Sequence, residues 1–549
     1  MKKILFMFLL FSHSAYSHWP YIKQWDYRYG SLEADYLNAV VETADSGFIL
    51  IGTIYTTQSG GDVTDSSRGH EDMWVLKTDK NGIKQWDKRY GGLNSDGALD
   101  GIQTQDGGYI FVGYSFSDSG FEKSQNNWDT TLQTADFWIV KTDSVGNKIW
   151  DKRFGGTGHD MAYKIIATPD GNYLVAGSSA SDANGDVTSA NRGMWDYWIL
   201  KIDPNGNKLW DKRYGGNKSE DVYNLYNVPG GGYLVVGNSY SAQGGDKSQP
   251  NHDTTFRWGD EWMIKLDSAG NKIWDRTYGG INEEFIACVF FKSNGNYIIG
   301  GSSKSGISGD RTIANYDTTQ GFFATWDFWI LETDSSGAIV RERVFGGTSH
   351  DVVHNVIQLP DGNLLFSGDS NSPASGDKTE NNIGGTTTWL VKTDPNLHLF
   401  WDKTIFTIST YTSAGDQQGN AIQTKDGCIL IRNTNISGVG GYKTQLNWSP
   451  NLYDFWIIKF CDTTGTTNVS EIQNDELTLF PNPTSGKLFI GNSVAQENSR
   501  IEIFNLLGEK VFSAVPAKNE IDISVLPPGV YILQATTCEK IFREKIIKE

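Results

Sequence analysis

One acidic residue recurs at the same place in seven successive segments of this 549-residue chain. Each copy lies ten residues before the residue that opens a turn. The seven copies are Asp35, Asp96, Asp160, Glu220, Glu284, Asp351 and Asp416. If these ring acids meet at the mouth of a central channel, they form a circle of carboxylates. Hard cations such as Ca²⁺ prefer oxygen ligands, so one hypothesis for the circle is a cation or ligand site.

The ring acids also have a structural interpretation. Each carboxylate could cap the backbone of the turn before it, or pair with a nearby Lys or Arg. Two carboxylates roughly 8 Å apart at an effective dielectric of about 20 repel by about 2 kcal/mol. Hydrogen bonds to charged groups contribute about 1.5–3 kcal/mol each, which is enough to offset that repulsion. A bound metal is therefore not required.

Long polar segments of the chain carry a second recurring acid and several tryptophans. The acids, each after a glycine, are Asp62, Asp186, Asp246, Asp310 and Asp377, and the tryptophans are Trp128, Trp195, Trp258, Trp326 and Trp448. Asp side chains bond the local backbone and shape turns, which is the structural interpretation. The functional one is a cation or glycan contact repeated around the molecule. Exposed tryptophans could stack on sugar rings, or pack between loops.

No catalytic set emerges from the spacing of reactive residues. Histidines such as His70, His252 and His398 do not recur at one repeat position. Acids are abundant, and a sequence does not give the distances between them. A hydrolase that uses paired carboxylates therefore remains the alternative to a binding protein.

A repeated Trp-Asp segment organises the residues around these acids. Its typical form is Lys-Ile-Trp-Asp-Lys-Arg-Phe-Gly-Gly, residues 148–156. The copies are anchored at positions 25, 86, 150, 210, 274, 341 and 401. A steady period of this size indicates a repeat architecture, in which each unit buries its apolar faces against its neighbours.

Each repeat predicts four strands, A to D. Strand A begins at the ring acid, strand B is almost wholly apolar, and strand D is the Trp-Asp segment. Strand C is expected to begin at Asp72, Asp136, Asp196, Glu261, Asp327, Thr388 and Asp454. The mature chain is expected to start with a lone strand D, residues 23–29, and its last repeat stops after strand C, at Phe460. These matching gaps predict a seven-bladed β-propeller over residues 18–462, closed by the N-terminal strand.

Strand direction predicts which loops share a face. Strands alternate in direction, so the D–A turns and the long B–C loops lie on one face, which we call the long-loop face. Long loops on a rigid scaffold are where binding sites usually occur. The repeat resembles the wider propeller superfamily, including its WD-repeat and quinoprotein members, and this resemblance implies the fold but not the function. Seven repeats without a vicinal Cys pair fit a quinoprotein dehydrogenase poorly.

Composition and the N-terminus bound the class of protein. Lys2 and Lys3, an apolar run and Ala15-Tyr16-Ser17 have the layout of a signal peptide over residues 1–17. No later stretch has the pattern of a transmembrane segment. A net charge of -18 argues against nucleic-acid binding. The four cysteines lack CxxC spacing, so zinc is not expected; Cys428 and Cys461 could pair across a hairpin, although separate buried thiols are favoured.

The composition changes after the last repeat. A Thr-, Asn- and Gly-rich linker is expected over residues 463–475, followed by alternating strands that predict a small β-sandwich over residues 476–549. Its motif residues are Pro481, Asn482, Pro483, Gly486, Gly508, Gly529 and Tyr531. This segment resembles the type A sorting domain of the type IX secretion system of Bacteroidota. The resemblance implies an export machinery as partner and a secreted or cell-surface location.

Together these patterns predict an all-β protein, a seven-bladed propeller followed by a small β-sandwich. The favoured function is non-enzymatic binding of a glycan or a protein through the long-loop face. The alternative is an extracellular enzyme that degrades a polysaccharide or glycoconjugate with carboxylates of the same face. Ca²⁺ is the candidate cofactor, and its presence is left open.

Overall fold

The structure is a computed structural model. It describes residues 19–55, 60–255, 257–319, 323–383, 385–408, 416–462, 478–480, 482–491, 500–505, 510–514, 520–536 and 541–549. The predicted signal peptide and linker lie outside these residues, as do Pro481, Gly508 and Cys538. The chain divides into two compact units, Met1–Thr463 and Thr464–Glu549.

The first unit consists of seven four-stranded antiparallel sheets. Strand β1 (Tyr21–Tyr29) precedes the first complete sheet. Sheet 1 is β2 (Asp35–Glu42), β3 (Phe48–Ile54), β4 (Asp72–Thr78) and β5 (Lys84–Tyr90). Sheet 2 is β6 (Asp96–Gln103), β7 (Tyr109–Ser115), β8 (Asp136–Thr142) and β9 (Lys148–Phe154). Sheet 3 is β10 (Asp160–Ala167), β11 (Tyr173–Ser179), β12 (Asp196–Ile202) and β13 (Lys208–Tyr214).

The remaining sheets repeat this order of strands A to D. Sheet 4 is β14 (Glu220–Asn227), β15 (Tyr233–Ser239), β16 (Asp260–Leu266) and β17 (Lys272–Tyr278). Sheet 5 is β18 (Glu284–Phe291), β19 (Tyr297–Ser303), β20 (Asp327–Thr333) and β21 (Ile339–Phe345). Sheet 6 is β22 (Asp351–Gln358), β23 (Leu364–Ser370), β24 (Thr387–Thr393) and β25 (Leu399–Ile405). Sheet 7 is β26 (Asp416–Gln423), β27 (Ile429–Asn435), β28 (Asp454–Asp462) and β1.

From sheet 1 to sheet 7, the strands A of successive sheets contact one another around a central axis. Sheet 7 meets sheet 1 through its strands β27 and β28, which contact β2. The N-terminal strand β1 is the fourth strand of sheet 7, where it runs antiparallel to β28 with Tyr21 opposite Asp462. The fold is therefore a β-propeller, as the repeat predicts. Strand C begins one residue earlier than expected in two sheets, at Asp260 and Thr387.

Cys428 and Cys461 form a disulfide, so the favoured interpretation as separate thiols is wrong for this pair. The register explains the bond, because Ile429 lies opposite Phe460 and the cysteines are the next facing pair of the hairpin. Cys288 is a free, buried thiol.

The Trp-Asp segment owes its recurrence to a contact across each sheet. The tryptophan of every strand C, such as Trp138, is fully buried. Its indole N–H donates to the aspartate of strand D, for example from Trp138 to Asp151 at 3.1 Å. The same carboxylate accepts the backbone N–H of Ser124 from the B–C loop at 2.8 Å. In the repeat whose strand D has lost its Trp-Asp pair, Glu342 accepts from Trp329 at 2.9 Å.

The second unit contains two sheets around one apolar core. Strands β29 (Thr478–Phe480), β30 (Lys487–Gly491) and β33 (Glu520–Asp522) form a three-stranded sheet, and β32 (Lys510–Ala514), β31 (Arg500–Phe504), β34 (Gly529–Thr536) and β35 (Ile541–Lys548) form a four-stranded one. Leu488, Ile503, Ile521 and Leu533 are among the side chains buried between them. This arrangement is the predicted β-sandwich.

Candidate functional site

The ring acids lie buried at the start of strand A instead of opening into the channel. The side chains of Asp35, Asp96, Asp160, Glu220, Glu284 and Asp351 have no exposed surface. Each carboxylate accepts a backbone N–H from the preceding D–A turn, for example from Gly156 to Asp160 at 2.8 Å and from Gly216 to Glu220 at 2.9 Å. The side chain of Asp416 lies outside the described residues. The described ring acids therefore cap turns.

A second set of buried acids accompanies the ring acids; the sequence analysis named five of them, but only as starts of strand C. These are the first residues of strand C: Asp72, Asp136, Asp196, Asp260, Asp327 and Asp454. Each accepts a backbone N–H from its own B–C loop, such as that of Trp128 to Asp136 at 2.9 Å. The signal was present in the sequence, because this position is Asp in six of seven repeats.

The two sets of acids meet in pairs between neighbouring sheets. The first glycine of each Gly-Gly turn lies between them. A methyl group on Gly155 would collide with Oδ1 of Asp136 and lie 2.7 Å from Oδ2 of Asp160. Burial raises the pKa of Asp136 to about 7, and repulsion from Asp160 contributes to the rise. The glycine is therefore needed to let the two carboxylates approach.

One repeat lacks both features together. Sheet 6 has Thr387 where the other sheets have an aspartate, and Phe406-Thr407 where they have Gly-Gly or Gly-Ser. Because sheet 6 lacks the aspartate at the start of strand C, a Cβ at the first residue of the turn does not collide with a carboxylate there. This covariation within one chain ties the glycine to the acid pair.

One buried cation lies beside the acids of each sheet. In five sheets the B–C loop supplies it, as Lys123, Lys247, Arg311, Lys378 or Lys443. In sheets 1 and 3 that loop position is Val63 or Val187, and the cation is Arg89 or Arg213 of strand D. Arg89 and Asp72, for example, form an ion pair in which both side chains are fully buried. Some acids have a second cation nearby, such as Arg153 at 3.8 Å from Asp136 and Arg28 at 3.6 Å from Asp454.

Burial penalises the charged form of these acids and so favours a retained proton. Burial raises the pKa of Asp96, Asp160 and Asp351 to about 6, and that of Glu220 and Glu284 to about 7. Burial also lowers the pKa of Lys123, Lys247 and Lys378 to about 8. Within the described ranges, no three His, Cys, Asp or Glu side chains are grouped so that they could hold a metal ion.

The second recurring acids bridge neighbouring repeats. Asp186 accepts the indole N–H of Trp128 from the preceding loop at 2.9 Å, and Asp62 accepts that of Trp448 at 2.8 Å. Asp246 pairs with Arg192, and Asp310 lies 3.5 Å from the ring of His252. Asp377 pairs with Arg343 at 3.1 Å. These acids therefore form a belt of contacts between successive loops on the long-loop face.

The tryptophans of these loops fall into two groups. Trp128 and Trp448 belong to the belt, with the guanidinium groups of Arg153 and Arg28 stacked on their rings at 4.4 and 4.5 Å. The second group lies just before strand C and surrounds the channel mouth. It consists of Trp195, Trp258 and Trp326.

The channel mouth on the long-loop face is aromatic. Trp195 stacks on His159 with ring centroids 5.8 Å apart. Trp326 meets Phe285 edge-on at 5.0 Å, and the ammonium of Lys304 lies 4.6 Å above the Trp326 ring and 5.6 Å above that of Trp258. Tyr36 contacts Tyr55 of its own sheet and Tyr453 of the neighbouring sheet 7, with ring centroids 5.5 and 5.4 Å apart. The sequence named the three tryptophans but not the other aromatic residues.

In the second unit, the motif residues fix the last strand. The side chain of Asn482 donates to the carbonyl of Lys545 at 2.7 Å and accepts the N–H of Ile547 at 2.9 Å. Pro483 is exposed beside it, and Gly486 donates its N–H to Thr484 at 3.1 Å. Gly529 opens β34, and the hydroxyl of Tyr531 donates to the carbonyl of Pro527 at 2.8 Å. The motif therefore holds the C-terminal strand β35 in the sandwich.

Comparison with known families places this second unit. Residues 478–549 match the model of the secretion system C-terminal sorting domain. The chain is thus a propeller protein with a type IX secretion sorting domain, and it is secreted or displayed on the cell surface. No helix among the described residues is long and apolar enough to cross a membrane.

The chain is similar to proteins of several kinds. The regulatory protein FlaEY of Caulobacter vibrioides is 25% identical over 221 residues, which cover 39% of this chain and 22% of that protein. The WD40 domain of Neurospora crassa Pan2 aligns over 80% of this chain and 95% of its own, with 12% identity and a TM-score of 0.43. A protein of unknown function from Dyadobacter fermentans aligns over 80% and 100%, with 11% identity and a TM-score of 0.39.

Proposed function

We propose that the propeller is a non-enzymatic binding module that recognises a glycan or a protein outside the cell through its long-loop face. The aromatic channel mouth is the observation that carries this proposal. Trp258, Trp326 and Phe285 gather with Lys304 around one opening. Aromatic side chains with one polar edge give large contact area at a water-exposed site.

The burial of the ring acids supports binding over hydrolysis. A general acid or nucleophile must reach the reacting atom of its substrate. The described ring acids have no exposed surface and already accept hydrogen bonds from turns. Without access to a substrate, these carboxylates are poor candidates for polysaccharide hydrolysis.

Binding of the secreted protein to a glycan array and to a panel of surface proteins tests the proposal. The variant Trp258→Ala/Trp326→Ala is expected to lose at least about tenfold in affinity, because two aromatic contacts disappear. Phe400→Ala is the matched control, since Phe400 is a partly exposed aromatic residue of an outer strand D.

Two results would contradict the proposal. One is a double variant that keeps full affinity for every ligand of the parent protein. The other is a parent protein that binds nothing on either panel but releases reducing sugar from a polysaccharide.

A further inference from the structure

A cavity of about 390 Å³ lies on the propeller axis, among the strands A of sheets 3 to 7. Its walls include Lys164, Tyr223, Phe285, His354, Asn420 and Arg432. These residues occupy the second to fifth positions of their strands A, apart from Arg432 of strand B, so the cavity begins just below the long-loop face. Its volume falls within the range of about 300–1,000 Å³ that is usual for ligand sites.

The cavity is built by a departure of the chain from its own repeat. In sheets 2, 5 and 7 the second residue of strand C is a phenylalanine, and its ring packs on a glycine of the next strand B, as Phe328 does on Gly368. Between sheets 6 and 7, Thr388 and Asn433 replace this pair and join by a 2.9 Å hydrogen bond. The neighbouring residue Arg432 takes a position that holds Ile51, Val112 or Ala176 in other sheets. A repeat position that is uncharged in the other six sheets thus brings a guanidinium group to the axis.

The charges of the cavity balance. Lys164 lies 3.6 Å from Asp100, and the imidazole of His354 lies 2.9 Å from Asp369. Arg432 donates to the carbonyl of Leu37 at 2.8 Å and is near enough to Asp100 and Asp369 to interact with both. Two fixed cations therefore face two carboxylates, and a third acid, Asp221, acts on Tyr223 and has a pKa raised by burial. Such walls offer many hydrogen bonds without a net charge that would select an anion or a cation.

One wall is an aromatic platform. Tyr223 remains 41% exposed inside the ring, although it belongs to an innermost strand. Its ring lies 6.2 Å from that of Phe285, which in turn contacts Trp326 of the channel mouth. The platform therefore runs from the mouth into the cavity.

We propose that this axial cavity binds one uncharged sugar unit, with its apolar face on Tyr223 and its hydroxyl groups facing Lys164, Asn420 and Arg432. This inference rests on the proposed glycan-binding function and assigns it a place. A pyranose presents one apolar face and a rim of hydroxyl groups, which matches an aromatic wall opposite a neutral, hydrogen-bonding one. Sheet edges and the outer loops take no part in this contact.

The test uses the secreted protein and saturation-transfer NMR with a panel of neutral monosaccharides and the corresponding uronic acids. At least one neutral sugar is expected to bind, and the matching uronic acid is expected to bind more weakly. Tyr223→Ala is expected to lose at least about tenfold in affinity, whereas Tyr223→Phe keeps the platform and most of the affinity. Phe400→Ala is the control, because Phe400 is 36% exposed, belongs to an outer strand D and does not line the cavity.

The outcomes separate this inference from the proposed function. If glycan binding survives Tyr223→Ala but not Trp258→Ala/Trp326→Ala, the cavity is not the site, although the module still binds. Tighter binding of the uronic acid, or binding of proteins alone, also overturns the sugar assignment and leaves a binding module. If the parent protein binds no glycan and no protein, both proposals fail. Near-ultraviolet circular dichroism checks that each variant is folded.

Discussion

Single residues show where the repeat has been altered. Glu261 occupies the position that holds Phe137, Phe328 or Phe455 in other sheets, and its carboxyl group lies against Gly301. Neither of its oxygens has a hydrogen-bond partner within the described structure. Burial raises its pKa well above the usual range of a glutamic acid. A buried, unpaired polar group of this kind lowers stability.

Glu261→Phe is therefore expected to stabilise the propeller. Removing the unpaired carboxyl group and restoring the ring-on-glycine contact should raise the free energy of unfolding by about 1–3 kcal/mol. Urea unfolding followed by tryptophan fluorescence measures the change. The reciprocal variant Phe328→Glu should lower stability, and a stabilised Phe328→Glu would refute this account of the position.

At the level of residues, the sequence identified positions better than roles. The ring acids recur visibly, but their partners are about twenty residues earlier in strand C, and a sequence does not reveal which side chains meet between sheets. Likewise, the recurrence of Asp186 was evident, whereas its bond to Trp128 of another repeat was not. Contacts across a sheet interface depend on register and side-chain direction, which spacing alone leaves open.

At the level of elements, the D–A turn depends on its first glycine. Gly155 lies between Asp136 and Asp160, and a Cβ there would collide with the first of them. Gly155→Ala is expected to cost about 1–3 kcal/mol, the usual range for overpacking a buried site. Chemical denaturation measures the loss.

Gly120→Ala provides a matched control for the turn. Gly120 lies in a B–C loop, has no atom within 4 Å of its would-be Cβ, and is absent from the left-handed backbone region. Its substitution should change stability by less than about 0.5 kcal/mol. Equal losses at Gly120 and Gly155 would show that backbone flexibility, and not the acid pair, requires the glycine.

The strand order could be predicted because it rests on local signals. Gly and Asp mark the turns, strand B is continuously apolar, and the Trp-Asp segment recurs in nearly every repeat. The predicted first residue of strand C was wrong by one position in two sheets. These strands begin at Asp260 and Thr387, where the neighbouring Glu261 and Thr388 look equally suitable as first residues. The preference for separate thiols was wrong for a related reason, because only the strand register shows that Cys428 faces Cys461.

At the level of the whole molecule, the buried acids predict a stability that depends on pH. In the folded state the pKa of Asp96 and Asp160 is about 6 and that of Glu220 about 7, above ordinary values of 3.8 and 4.5. The folded protein therefore keeps protons that the unfolded chain releases between about pH 4 and pH 7. The free energy of unfolding should fall as the pH rises through that window.

Comparison of urea unfolding at pH 5 and pH 7.5 tests this expectation. The protein should be more stable at pH 5, and Glu220→Gln should reduce the difference by about 2 kcal/mol, because most but not all of the effect of its raised pKa falls between these two pH values. The window ends below pH 8, where the buried lysines such as Lys247 begin to lose their charge. Greater stability at pH 7.5 than at pH 5 would contradict the account in which the buried acids keep their protons in the folded state.

The sorting domain gives a prediction about export. Removal of residues 478–549 should leave the propeller inside the cell envelope, because the region that matches the secretion family is gone. Asn482→Ala should weaken export less severely, since it removes two hydrogen bonds to β35 and leaves the sandwich core. Immunoblots of culture medium and cell fractions measure both, and normal export of the truncated chain would refute the role of this domain.

The pairing of β1 with β28 has a consequence for the chain during its synthesis. Tyr21 and Asp462 are neighbours in the finished molecule, but the ribosome makes them at opposite ends of the propeller. A polypeptide whose synthesis stops early leaves β1 unpaired, and unpaired edge strands pair with other chains and form aggregates. The ring can therefore close only after the polypeptide has been translated through β28.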